Sequence, residues 1–198
     1  RIMISMCVIS LMLLSTDPSL GRVDKASLSQ QTIMELLVGG FKHAKNVHDI
    51  CGRKDCLRDI TEWEGLRFLE DDIIEVNFSH KKLSGKLLLE WLPITTLRGI
   101  FFSNFLTGTI NLTLLPPPMK FLSVSFNKFE GTVDLTRLPS GINTLYLDGN
   151  GFSGVTDFSQ LPDSLTMLSM SATQLQGQIK MVDRRIVYAD ESEVTIIQ

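Results

Sequence analysis

The sequence predicts an α/β solenoid: about five coils of 23 residues stacked behind a helical cap. Three observations carry this. Glycines recur in phase at Gly85, Gly108, Gly131, Gly154 and Gly177. Two residues before each stands a large apolar residue, Leu83, Leu106, Phe129, Phe152 or Leu175. Four residues before each stands Lys81, Asn104, Asn127, Asn150 or Thr173. Leu-Pro pairs then open the next coil at Leu92-Pro93, Leu115-Pro116, Leu138-Pro139 and Leu161-Pro162. Several residue types held in one phase mark a repeat architecture, in which no coil buries its apolar side alone.

The clearest unit runs from Leu138 to Gln160, with the core Ile142-x-x-Leu145-x-Leu147-x-x-Asn150-x-Phe152-x-Gly154. This resembles the leucine-rich repeat, L-x-x-L-x-L-x-x-N-x-L/F. Met119, Leu122, Val124, Asn127 and Phe129 fill the same positions one coil earlier, and Leu165, Leu168, Met170 and Leu175 one coil later. The first unit has Ile73, Val76, Phe78 and Leu83, and the resemblance spans about residues 69 to 181. It implies short parallel strands on a concave face. In the L-x-L strand, alternation buries Leu145 and Leu147 and turns Tyr146 outward. The Asn carboxamide, with two donors and an acceptor, can serve backbone groups where the chain leaves the strand. Glycine permits the turn that follows, and proline opens the new coil outside the ladder. The stretches after each glycine, such as Val155 to Gln160, show no helical period, so irregular or 3₁₀ convex sides are expected.

The second coil has two registers. Leu97, Ile100 and Phe102 give the better hydrophobic match but leave one residue too few before Asn104. Strict phase turns Gly99 and Phe101 inward instead and exposes Phe102. The hydrophobic match is adopted here.

Residues 22–68 are expected to cap the first coil. Ile33, Leu36, Leu37 and Phe41 recur at helical spacing within Leu28 to Phe41, and Ser27 or Ser29 can cap the start. Trp63-Glu64-Gly65-Leu66-Arg67-Phe68 is similar to the W-x-G-V-x-C segment in the N-terminal cap of plant-type and protist surface leucine-rich repeat proteins. Phe68 stands where that pattern has its last cysteine. Residues 69–198 hold the repeats and a degenerate C-terminal cap. There Arg184-Arg185 breaks the period, and Ile186 and Tyr188 alternate like a closing strand.

Residues 1–21 read as a signal peptide, with the apolar run Ile2 to Leu14 at its centre. Once Cys7 leaves with it, Cys51 and Cys56 remain as an even pair that would join in an oxidising compartment. Two glycosylation sequons, at Asn77 and Asn111, accord with secretion. Asn111 should be the more occupied, because Asn77 lies in a strand on the concave side. The net charge of −3 offers no basic block for phosphates, which excludes nucleic acid as a partner. No apolar stretch reaches the roughly 18 residues that would span a bilayer. Any membrane association would come through segments outside this chain.

Candidate chemistry is sparse. Gly149-Asn150-Gly151-Phe152-Ser153-Gly154 has the form G-x-G-x-x-G, but Pro162 follows where a phosphate-binding helix would be needed. His43, His48, Cys51 and Cys56 could supply zinc ligands, yet their spacing is not that of a zinc finger, and no metal or cofactor is expected. Asp134 and Asp157 share a repeat column, which suggests a turn role rather than acid–base work. No nucleophile has an adjacent base. The expected function is therefore non-catalytic recognition of a protein, peptide or glycan, by a secreted or cell-surface protein. An intracellular scaffold or regulatory subunit is the alternative. Outward strand positions form an apolar stripe of Phe101, Phe121, Tyr146 and Met167 with Asp148 at its edge, the expected ligand-binding residues.

Overall fold

The computed structural model describes residues 24–42, 45–53 and 56–197. The expected signal peptide and His43 lie outside them. The cap begins with helix α1 (Gln30–Gly39), whose start Ser29 caps by accepting a hydrogen bond from Thr32 N. Ile33, Met34, Leu37 and Val38 form its buried stripe. Helix α2 (Lys45–Cys51) and a small antiparallel pair, β1 (Gly52–Arg53) and β2 (Cys56–Leu57), follow.

From there two short strands recur in each coil. In chain order they are β3 (Leu66–Leu69), β4 (Asp72–Asn77), β5 (Ser84–Gly85), β6 (Arg98–Ile100), β7 (Phe105–Gly108) and β8 (Phe121–Ser123). Next come β9 (Lys128–Gly131), β10 (Thr144–Tyr146), β11 (Gly151–Val155) and β12 (Met167–Ser169). The last are β13 (Gln174–Lys180), β14 (Ile186–Tyr188) and β15 (Glu193–Ile197). The concave sheet has the order β14-β12-β10-β8-β6-β4-β3. It is parallel except for the β3–β4 hairpin that covers its first edge. The expected closing strand is present as β14, which adds a shorter coil to those of the 23-residue period.

The second sheet, β15-β13-β11-β9-β7-β5, was not anticipated. All its strands but β15 run through the recurrent glycines, and their alternation, as in Lys128-Phe129-Glu130-Gly131, is too brief to stand out. The 3₁₀ turns expected after the glycine do occur, at Leu89–Trp91 and Leu112–Leu114. Gly154 shows why glycine is needed: its φ is +90°, and a Cβ there would lie 3.1 Å from Thr132 Cγ2.

The core lies between the two sheets. Leu122, Leu145 and Leu168 stand in register on neighbouring strands, with no exposed surface. Strict phase holds in the second coil as well, because Gly99 pairs with Val76 and Leu122. Phe101 is consequently 0% exposed, and its expected place on the concave stripe is corrected. Its bulk fills the space that Gly99 leaves: a Cβ on Gly99 would sit 3.3 Å from Phe101 Cε2 and 3.1 Å from Leu122 Cδ1. The Phe101 ring also meets Phe78 edge-on at 6.1 Å. Large and small exchange places along one inward row, which a residue-by-residue hydrophobic match does not see.

The asparagines link the coils. Asn104 Oδ1 accepts from Lys81 N at 3.1 Å and Leu83 N at 2.9 Å, one coil back. Its Nδ2 donates to Phe78 O at 2.8 Å and to Phe101 O at 2.9 Å. Asn127 joins Leu106 N, Phe101 O and Val124 O in the same way, and Asn150 joins Phe129 N, Val124 O and Leu147 O. Directly before these residues the chain turns through a left-handed position: φ is 57° at Ser103, 53° at Phe126 and 64° at Gly149. That turn takes backbone groups out of the sheet ladder, and the carboxamide serves them. Thr173, in the same column, donates one hydrogen bond to Met170 O within its own coil.

Both ends are tied down by side chains reaching carbonyls. Asn46 Nδ2 bonds Lys81 O and Lys82 O, joining α2 to the first coil. Arg185 is buried at the other end and donates to Leu165 O and Pro162 O, each at 2.9 Å.

Asn150→Ala should lower the unfolding free energy by roughly 1–3 kcal/mol, because it strands buried backbone groups. Asn143→Ala, at an exposed position, should change it by about 0.5 kcal/mol or less. Urea unfolding of the two variants checks this, and equal small losses would refute the ladder's role.

Candidate functional site

Pleat alternation carries the outward residues of the concave strands onto one surface. Ile100, Ser123, Tyr146, Ser169 and Tyr188 form one row across five strands. Arg98, Phe121, Thr144, Met167 and Ile186 form the next. A groove of about 450 Å³ runs over these rows, with Ile100, Phe102, Phe121, Phe126, Tyr146 and Tyr188 as its apolar walls. Ser123, Ser125, Ser169 and Asp148 complete the lining.

The rings hold one another in edge-to-face contact. Phe121 and Tyr146 lie 5.8 Å apart, Phe102 and Phe126 5.7 Å, and His80 and Phe102 4.6 Å. Phe126 remains 56% exposed although its backbone is left-handed. Asp148 Oδ1 accepts from Ser125 Oγ at 2.8 Å. On the strand before Phe121, Arg98 places its guanidinium 4.3 Å from the Phe121 ring centroid. Arg98 Nε also bonds Glu75 Oε2 at 3.1 Å, and Arg67 Nη1 reaches the same oxygen at 3.4 Å.

No family model and no curated protein matches the sequence. Solved structures do match. The leucine-rich repeat ectodomain of the receptor kinase SOBIR1 from Arabidopsis thaliana is 14% identical, with a TM-score of 0.61 over 85% of this chain and 95% of that one. The BIR2 ectodomain from Arabidopsis thaliana is 20% identical, with a TM-score of 0.63 over 85% and 94%. Pollen Receptor Kinase 3 is 15% identical, with a TM-score of 0.51 over 83% and 95%. The fold is a leucine-rich repeat solenoid. At these identities the likeness concerns architecture alone.

Within that solenoid the expected binding residues divide. Phe121, Tyr146 and Asp148 line the groove, while Met167 is half-buried on the same face outside the lining. Phe101 is in the core, and Phe102 occupies the row of Ser125 and Asp148 in its place, as strict phase requires. Phe126 and Tyr188 were missed. Phe126 stands at a turn position where aromatics are uncommon. Tyr188 belongs to the shortened last coil, where the period no longer points to it.

The expected disulfide is not formed. Cys56 is exposed, and Cys51 is buried on the inner face of α2 with its thiol donating to Val47 O at 3.3 Å. The last turn of α2 buries Cys51 in the cap, whereas Cys56 stands exposed on β2. Burial pushes the Cys51 thiol up to about 11, so it stays protonated near neutrality. Among the described residues no group of three His, Cys, Asp or Glu side chains could hold a metal.

The convex acids have the turn role expected of them. Asp134 accepts from Thr136 N and Oγ1, and Asp157 from Ser159 N. These hydrogen bonds hold both carboxyls below their usual range. Asn111 makes the same turn with Thr113 and is exposed. Asn77 is half-buried on β4, with Oδ1 accepting from Ser79 Oγ at 2.7 Å.

Proposed function

We propose that this solenoid is a non-catalytic recognition module, and that it binds a segment of a protein or peptide in the aromatic groove of its concave face. One observation carries the reading: aromatic residues of three successive coils, joined by Tyr188 of the closing strand, converge on a single solvent-facing surface. Such a patch is costly to leave in water, and aromatic anchors dominate interface energetics. The rings are braced by one another and by the sheet beneath, so little side-chain freedom remains to be lost on binding.

The module works outside the cell in this reading, supported by the leader-like residues 1–21 and the likeness to receptor ectodomains. Asn111 is the proposed glycan acceptor, since it points away from the groove, and Asn77 the poorer one. The free thiols of Cys51 and Cys56 favour a second reading, an intracellular scaffold using the same groove. Sequencing the N-terminus of the mature protein from its native cells separates the two. Loss of about the first 20 residues supports secretion, and their retention supports the scaffold.

Peptides selected by display on the immobilised protein test the groove itself. Their affinity should fall at least tenfold for the double variant Phe126→Gly with Tyr146→Ala. Glycine accepts the φ of 53° at position 126 without strain, so the variant should keep its melting temperature within a few degrees. Selected peptides that bind the folded variant and the parent equally would overturn the proposal.

A further inference from the structure

We infer that the groove is built for a cation, and that its occupant is an extended basic segment whose arginine side chain lies among the rings of Phe102, Phe126 and Tyr146 with its guanidinium on Asp148. This rests on the proposed recognition role and narrows it to one chemistry of partner. Of the ten residues that line the groove, Asp148 alone carries a formal charge. The other polar groups there are hydroxyls of serine and tyrosine, which accept hydrogen bonds as readily as they donate them. Asp148 uses one oxygen for Ser125 Oγ at 2.8 Å, and a carboxylate offers room for about four donors. Electron-rich ring faces around a carboxylate suit a cation and repel an anion.

The same surface already holds such an arrangement. Arg98 lies 4.3 Å over the Phe121 ring while its Nε bonds the Glu75 carboxylate at 3.1 Å. Ring, guanidinium and carboxylate are thus satisfied together by the chain's own residues. On the coil of Phe121 and the one after it, Phe126, Tyr146 and Asp148 repeat the ring and the carboxylate, and the protein supplies no guanidinium among the groove residues. Arginine fits this setting better than lysine, because its planar fork both stacks on rings and bonds a carboxylate with two parallel donors.

A second acid extends the pattern. Gly149 N donates to Ser171 O at 3.0 Å and Ala172 N to Asp190 O at 2.8 Å, so Asp148, Ser171 and Asp190 follow one another on successive coils. Neighbouring strands lie about 4.8 Å apart, which puts Asp148 and Asp190 roughly 10 Å apart. An extended chain of the polyproline II type rises about 3.1 Å per residue and returns to the same face every third residue, so two basic side chains three residues apart would reach both acids.

The test uses three hexapeptides of sequence Ser-X-Ser-Gly-X-Ser, acetylated and amidated, with X as arginine, citrulline or leucine. Citrulline keeps the planar shape of arginine without its charge. Titration into isotope-labelled protein should show the arginine peptide shifting the amide signals of Ser125, Tyr146 and Asp148. It should bind at least tenfold more tightly than the other two, and less tightly as salt is added. Asp148→Asn should weaken it at least fivefold, since the amide can still accept from Ser125 while the charge is gone. Asp134→Asn, on the convex side, should leave binding unchanged. Equal binding of the citrulline or leucine peptide, unchanged affinity of Asp148→Asn, or no binding of the arginine peptide would each overturn the inference. If the display-selected peptides still depend on Phe126 and Tyr146 in that event, the recognition role stands and only the cationic partner falls.

Discussion

The carboxamide that follows each of the three central concave strands, β6, β8 and β10, is the interaction on which the other features depend. To leave the strand, the chain passes through a left-handed residue, and several backbone groups there lose their sheet partners. A buried donor or acceptor without a partner costs roughly 1–3 kcal/mol. Asn104, Asn127 and Asn150 each meet that cost for two coils at once, because one carboxamide accepts from the coil before it and donates to carbonyls of both. The coils are thereby locked in phase, and phase decides which side chains face the core and which face water.

That dependence explains the second coil. Its hydrophobic residues would sit more comfortably one position over, yet Asn104 binds Phe78 O and Leu83 N only in the strict phase. The chain accepts a glycine at an inward position and fills the gap with Phe101. Phe102 is then sent to the groove, beside Phe126. A constraint inside the turn therefore selects the aromatic that a partner would meet. Phe126 carries a related cost, since a left-handed residue with a side chain is disfavoured by roughly 1–2 kcal/mol. Strain of this kind persists where the surroundings over-determine the conformation, and it gathers at functional surfaces.

How much could be read beforehand follows from the same physics. The coils, the inward leucines, the asparagine column, the Ser29-capped helix and the closing strand all rest on local pattern, and all are present. So are Phe121, Tyr146 and Asp148 on the concave face, because pleat alternation needs only a correct register. Phe101 was misplaced because hydrophobicity was ranked above phase, whereas hydrogen bonds to buried backbone outrank the placing of one large side chain. The second sheet left too short an alternation to notice. The pairing of Cys51 with Cys56 was argued from number and compartment, while the direction of the Cys51 side chain depends on a helix packed against distant residues.

Amide hydrogen exchange tests the ladder most directly. Leu83 N, Leu106 N and Phe129 N donate to carboxamide oxygens rather than to a strand, at 2.9, 3.1 and 3.1 Å. If those bonds hold the coils in phase, the three amides should exchange only when the whole solenoid unfolds. Their opening free energies should then match the global stability measured by denaturant. Exchange of these amides at the rate of exposed convex turns, in a protein that is otherwise folded, would contradict the account.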